Sequence, residues 1–523
     1  MINISKSLLF VLCLALLSSC GSSDNDDSPG NLTWTSGVFE ASTRFDARCE
    51  NPRSGNDING DPWPDVQGST LDENFWLRSW SDETYLWYNE IVDQNPANFS
   101  SPIAYFEELK TDAVTNSGNA RDNFHFTQDT DEQQQEAATG SSAGYGLRFR
   151  ILSSSPPRRI VIAYNEPNSP ASAANVERGA EIITIDGVDV ENGADVNALN
   201  SGLFPNDGET HTFVIRDLGA TTTRTVDLTA TTVTSDPVQN ETVFNTASGI
   251  VGYMQFNTFG TRIAEQELID AFIDFSNQGV QDLVIDLRYN GGGFLFISSQ
   301  LAYMVAGPTR TQNKIYGTNV YNDKFNGVDI FGNTNNPTPF FSAPSDQGTA
   351  PGGVLPDLNL NRVFVLSTGS TCSASEALIN GLRGIDVEVV LIGDTTCGKP
   401  YGFFPTDNCG TTYFTIQFRE ENDKGFGDYA DGFIPSATDN GQDFVRGCTV
   451  PDDFTKALGD PTEALLAAAL NYQATGSCPT STNKFAPAQP NRANFIQDPL
   501  DLKNSKLYKE RTFIRDNRID LRM

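Results

Sequence analysis

The sequence predicts a multidomain protein of α/β class, α+β in overall build. A helical N-terminal region comes first, then a β domain, then a core with a mainly parallel sheet covered by helices. Three observations lead there. The chain has 523 residues, more than one ordinary domain holds. Aromatic residues recur with a helical rhythm between 71 and 112, and residues 143–232 alternate in the manner of strands. From about residue 240, short apolar strands alternate with amphipathic helices, the pattern of a covered parallel sheet.

The N-terminus reads as a processing signal. Lys6 supplies the positive charge and Leu8 to Leu17 an apolar stretch too short to span a bilayer. Leu17-Ser18-Ser19-Cys20 resembles a bacterial lipobox, which implies cleavage before Cys20 and lipidation of its sulfur. Residues 1–19 are then the signal, and Cys20 with the polar stretch to residue 60 a flexible tether. The acyl chains are the expected membrane anchor, in a bacterial cell envelope. Gly21 after Cys20 favours the outer membrane under the usual sorting preference, facing the periplasm or the surface. A formal charge of −32 repels phosphate backbones and sets nucleic acid aside as a partner. Six of the eight cysteines remain after Cys13 and Cys20 are accounted for, and an oxidising compartment allows them to pair. Cys397 and Cys409, close in sequence across a turn, are the pair expected from spacing. No spacing suits a zinc ribbon, so neither metal nor cofactor is expected.

Residues 61–140 are read as a helical domain with Phe75, Trp76, Trp80, Tyr85 and Tyr105 in its core. In the β domain, 141–235, Arg159–Ala163 and His211–Ile215 are strands and Ser169-Pro170-Ala171 starts a short helix. Gly144-Tyr145-Gly146-Leu147 opens this domain, and Gly179 to Gly187 gives turn, strand and turn. The series resembles a PDZ domain of the bacterial protease kind, with GYGL in the place of the carboxylate-binding loop. Such a loop can hold a terminal carboxylate on backbone N–H groups while a peptide adds as a strand beside it.

In the core, 236–478, strands are expected at Ile250–Phe256, Asp282–Leu287, Arg362–Leu366 and Val387–Ile392, with helices at Ala264–Phe275 and Ser375–Arg383. Only His125 and His211 exist, and neither falls near a nucleophile in this region, so a Ser-His-Asp triad would need a domain to deliver His125. A nucleophilic serine must then use another base, and a lysine held neutral by burial can serve. Ser373 follows a strand and opens a helix, where free backbone N–H groups and the helix dipole favour negative charge. Lys399 follows the next strand, at the same edge of the sheet if the two strands are neighbours. On these residues alone, Ser373 or Ser375 with Glu376 describes a capping box and Lys399 a surface lysine, which such pieces are more often than catalytic groups.

The stretches STCSASEAL and IGDTTCGKP, with Asp286 to Gly293 upstream, are similar to the core motifs of the C-terminal processing, or tail-specific, serine proteases. The similarity runs over most of residues 70–475. It implies Ser373 as nucleophile, Lys399 as general base, and backbone N–H groups of Ala374 and Gly292 as the oxyanion hole. It also implies polypeptide substrates engaged through their C-termini. Phe403 stands where many relatives carry a glutamine that orients the lysine, which leaves Asp394 or Asp386 to do so. A Cys372–Cys397 disulfide would bridge the two catalytic loops. The alternative is a non-catalytic peptide- or apolar-ligand-binding lipoprotein on the same scaffold, or an esterase using the same acyl chemistry. Residues 479–523 read as a Pro- and Asn-rich tail.

Overall fold

The computed structural model describes residues 32–346, 348–438, 441–479, 500–504 and 517–518. Cys20 and the signal lie outside these residues. Among the described residues no helix is long and apolar enough to cross a membrane.

A seven-stranded sheet forms the centre of the molecule. Its spatial order is Val238–Thr246, Gly249–Phe256, Asp282–Asp286, Arg362–Ser367, Glu388–Gly393, Phe444–Thr449, Ile434–Ser436. Only the first pair is antiparallel. These inner strands are apolar on both faces, as a covered parallel sheet requires. Helices Ile263–Asn277, Leu295–Thr311 and Ala374–Gly384 pack on one face and Ala464–Thr475 on the other. Strand Glu388–Gly393 lies directly beside Arg362–Ser367, in register Arg362↔Glu388 through Ser367↔Gly393. The segments after both strands therefore leave from the same carboxyl edge, where ligands of such sheets bind.

The second domain is an antiparallel sheet in the order Arg224–Thr229, Thr210–Arg216, Glu181–Ile185, Arg159–Asn165, Leu147–Ser153. Helix Val196–Leu203 closes its core through Leu199 and Leu203. Helix Thr70–Thr84 centres the N-terminal region, with Trp76 and Trp80 stacked at 5.1 Å.

Two expectations are corrected here. Residues 32–60 are not a loose tether. Phe45 is buried against Phe75, strand Arg48–Cys49 pairs with Val66–Gln67, and Cys49 is bonded to Cys409. Buried aromatic area and a covalent link offset the ordering entropy that the polar composition suggested would win. Cys397 and Cys409 accordingly do not pair. The disulfides are Cys49–Cys409, Cys372–Cys397 and Cys448–Cys478.

Candidate active site

Ser373 sits between strand Arg362–Ser367 and helix Ala374–Gly384, with φ 63° and ψ −118°. A non-glycine residue in this region costs about 1–3 kcal/mol and persists only where its surroundings impose it. Here the surroundings are Asn290 and Glu376. The Asn290 carbonyl accepts from the Cys372 N–H and the Ser375 hydroxyl, both at 3.1 Å. The Glu376 carboxylate accepts the Ser373 N–H at 2.9 Å. Only this half of a capping box is made. The Ser373 hydroxyl is fully buried and has no hydrogen-bond partner. An unmade buried hydrogen bond costs about 1–3 kcal/mol, so the hydroxyl is held for something other than capping.

Glu376 has no exposed surface and reaches well beyond its own helix. It also accepts from Thr396 Oγ1 at 2.5 Å and from the N–H groups of Gly398 and Lys399 at 2.8 Å each. One carboxylate thus ties the backbone of Ser373 to the backbone of Lys399. Burial pushes its pKa up, and these four donors offset only part of that rise. The Cys372–Cys397 disulfide makes a second tie, with Cα atoms 5.2 Å apart. Its sulfurs lie within 4.8 Å of the Glu376 carboxylate. Joined to each other they offer no thiolate, so this cluster does not suit a metal ion.

Lys399 is fully buried, and its Nζ lies 4.3 Å from the centre of the Phe403 ring and 5.1 Å from that of Phe124. Phe403 therefore forms the wall against which the amine rests. Neither Asp394 nor Asp386 orients the lysine. Asp394 is exposed and accepts its neighbour Thr395 N–H, while Asp386 pairs with Lys424 at the far end of the helix. The loop from Asp122 to His125 does approach the site, but it brings Phe124 and not the histidine. His125 Nε2 lies 2.7 Å from the Phe106 carbonyl and Nδ1 3.0 Å from Thr415 Oγ1. Burial pushes its pKa down to about 3, so it stays neutral and structural.

Gly292 packs directly on the serine. A Cβ there would lie 2.6 Å from Ser373 Cβ and 3.0 Å from the Ala374 nitrogen, so only glycine fits. The Gly292 N–H donates to Asn290 Oδ1 at 2.9 Å, which leaves it turned to a side chain of its own turn. Gly144, Tyr145, Gly146 and Leu147 lie across from it. They share with Gly291, Gly292 and Ser370 the walls of one cavity of about 860 Å³. Gly146 has φ +72°, and its carbonyl accepts the Glu166 N–H. The structure thus places Gly292 and the Gly144–Leu147 loop on one cavity, with Ser373 packed behind Gly292, and it leaves Asp386 and Asp394 away from it; Cys20 lies outside the described residues. Glu376, recognised in the sequence only as a cap, and Phe124 are the additions. Their role depends on contacts across 23 and more than 250 residues, which no local pattern carries.

Peptidase family S41 matches residues 250–406. A carboxyl-terminal-processing protease of Picosynechococcus sp. is 26% identical over 263 residues, covering 50% of this chain and 56% of that one. The chloroplastic C-terminal processing peptidase of Tetradesmus obliquus is 32% identical over 185 residues, 33% of this chain and 38% of that one. The chain thus spans about half the length, or less, of these curated relatives. A solved structure from Bacteroides fragilis, assigned to the S41 proteases, superposes with a TM-score of 0.58 at 25% identity, covering 79% of this chain and 100% of that one. Residues 250–406 thus match a peptidase S41 domain, and the chain is similar to C-terminal processing proteases.

Proposed function

We propose that the protein is a serine endopeptidase that cleaves unfolded or C-terminally exposed polypeptides through Ser373 and Lys399. The observation that carries this reading is the Ser373 hydroxyl. It is buried and unpartnered on a strained residue at a helix N-terminus, and Glu376 ties that residue to Lys399. Strain and unmet polar groups gather where they serve chemistry.

In the proposed reaction neutral Lys399 takes the Ser373 proton as Oγ attacks the peptide carbonyl carbon. Lys399 is fully buried, and burial disfavours the charged form of an amine. The oxyanion that develops faces the first turn of the helix, where the Ala374 N–H is a donor. The Gly292 N–H joins it by turning from Asn290 Oδ1. The C–N bond then breaks, the leaving amine takes the proton from Lys399, and water releases the acyl group from Ser373.

The GYGL loop and strand Leu147–Ser153 line the same cavity, which supports a PDZ-like role in receiving the substrate's C-terminal end. The lipobox-like Leu17–Cys20 stretch supports anchorage in the cell envelope, with the domains outside the bilayer.

The test is hydrolysis of unfolded casein and of a small nitrophenyl ester, side by side, by the chain from residue 21 onward. Casein fragments are expected. Ester hydrolysis without casein cleavage would move the protein to the esterases, and no hydrolysis of either would leave a binding protein.

A further inference from the structure

Two described stretches near the chain's end, residues 500–504 and 517–518, are bound at either end of the candidate cleft. On the 141–235 domain, Leu502 is fully buried in the hydrophobic core. Its N–H donates to the Ser154 carbonyl at 3.0 Å, and its carbonyl accepts Asn200 Nδ2 at 3.2 Å. Arg158, itself buried, donates to the Leu500 carbonyl at 2.7 and 3.0 Å, and Ser154 Oγ donates to Asp501 at 3.0 Å. The segment is therefore seated between helix Val196–Leu203 and the end of strand Leu147–Ser153, the two elements that frame a peptide in strand-addition recognition. The next residue, Lys503, lines the same 860 Å³ cavity as Gly292 and Ser370.

At the other end, Asn517 and Arg518 form a parallel strand with Gly293 and Phe294. Phe259 bridges the opposite edge of Gly293, so the added strand takes the remaining one. It also lies against Tyr401–Gly402, two residues beyond Lys399. Gly293 adjoins Gly292, which touches Ser373. An extended substrate approaching Ser373 would need the same backbone edge, and one edge pairs with one strand at a time.

We infer that this segment is a tethered occupant of the substrate groove. Residues 500–503 dock on the PDZ-like domain, and Asn517–Arg518 add as a strand beside the Ser373 cleft. The competition with substrate rests on the protease reading above. The docking does not. Tethering gives such a segment an effective concentration in the millimolar range, so it raises the apparent KM for every substrate and leaves kcat alone.

The test uses the chain from residue 21 onward carrying N517P/R518P, which removes two N–H groups from the added strand. A fluorogenic peptide substrate should show a KM at least several-fold lower with kcat unchanged. A synthetic peptide of residues 500–523, added to the variant, should raise KM again. Leu502→Ala should shift KM in the same direction. Unchanged KM in both variants would overturn the inference. So would scission at 517–518 in the wild type but not in Ser373→Ala, since the segment would then be a substrate and not a resident. If nothing is cleaved by any form, the protease reading fails, and hydrogen exchange of residues 289–294 decides the docking alone. Faster exchange in N517P/R518P supports it, and identical exchange overturns it.

Discussion

Two buried polar clusters lie on either side of the turn from Asp286 to Gly293, and they are built on opposite principles. Around Arg288 every charge is answered. Its guanidinium, 1% exposed, donates to Asp286 at 2.9 Å, to Glu463 at 2.8 and 3.0 Å and to Asp452 at 2.9 Å. Tyr253 completes Asp286, while Arg178 and Tyr289 complete Asp452 and link the β domain to the core. Around Ser373 the backbone is as firmly held, but the hydroxyl at its centre is left unpaired. The contrast separates scaffold from site. A network that is satisfied throughout rigidifies, whereas one deliberately left open at a single atom, on strained backbone, is poised to react.

The largest effect that would sharpen this contrast is expected at the satisfied cluster. Arg288→Met leaves the buried Asp286 and Glu463 and the half-buried Asp452 without their common partner and should cost about 3–5 kcal/mol, read from urea unfolding. A loss below about 1 kcal/mol would mean that the network is not what fixes the turn. Next comes the covalent tie. Replacing both Cys372 and Cys397 by Ala should cost about 3 kcal/mol. Activity at permissive temperature should stay within about tenfold of wild type, a shift of about 1.4 kcal/mol, because Glu376 still joins the two loops. Complete inactivity of the folded double variant would make the disulfide, not the carboxylate, the element that sets the geometry.

Glu376→Gln keeps the shape but weakens its bonds from the Ser373, Gly398 and Lys399 N–H groups. A fall in kcat of about tenfold is expected with KM nearly unchanged, since charged acceptors bind roughly twice as strongly as neutral ones. Raised KM with intact kcat would assign Glu376 to substrate binding. The smallest effect is the most diagnostic of strain. Ser373→Gly should abolish activity yet raise stability by about 1 kcal/mol, because glycine accepts φ 63° and ψ −118° without penalty. A loss of stability would show that the backbone there is not strained.

Much of this was legible in the sequence. The alternation of strands and helices predicted the parallel sheet, and it put Ser373 and Lys399 at one edge on the condition that strands 362–366 and 387–392 were neighbours, which they are. Local periodicity and helix-terminus chemistry carry that information. Elements fixed by distant contacts were not legible. Cys49 and Cys409 are 360 residues apart, and nothing in their surroundings announces the pair that orders residues 32–60. Phe403 looked like the loss of an orienting group. Its meaning as a wall for the amine appears only once Phe124 arrives from the N-terminal region. Lys399 was sought an acidic partner nearby in sequence, but Asp386 and Asp394 are exposed and engaged elsewhere.

The central claim is that Ser373 and Lys399 together perform acyl transfer. The most direct measurement is the rate of casein cleavage by wild type, Ser373→Ala and Lys399→Ala, each shown to be folded by its far-ultraviolet circular dichroism and melting transition. The expected result is cleavage by wild type and a loss of about 10⁴-fold in both variants. Equal cleavage by either variant, or an inert wild type, would contradict the assignment.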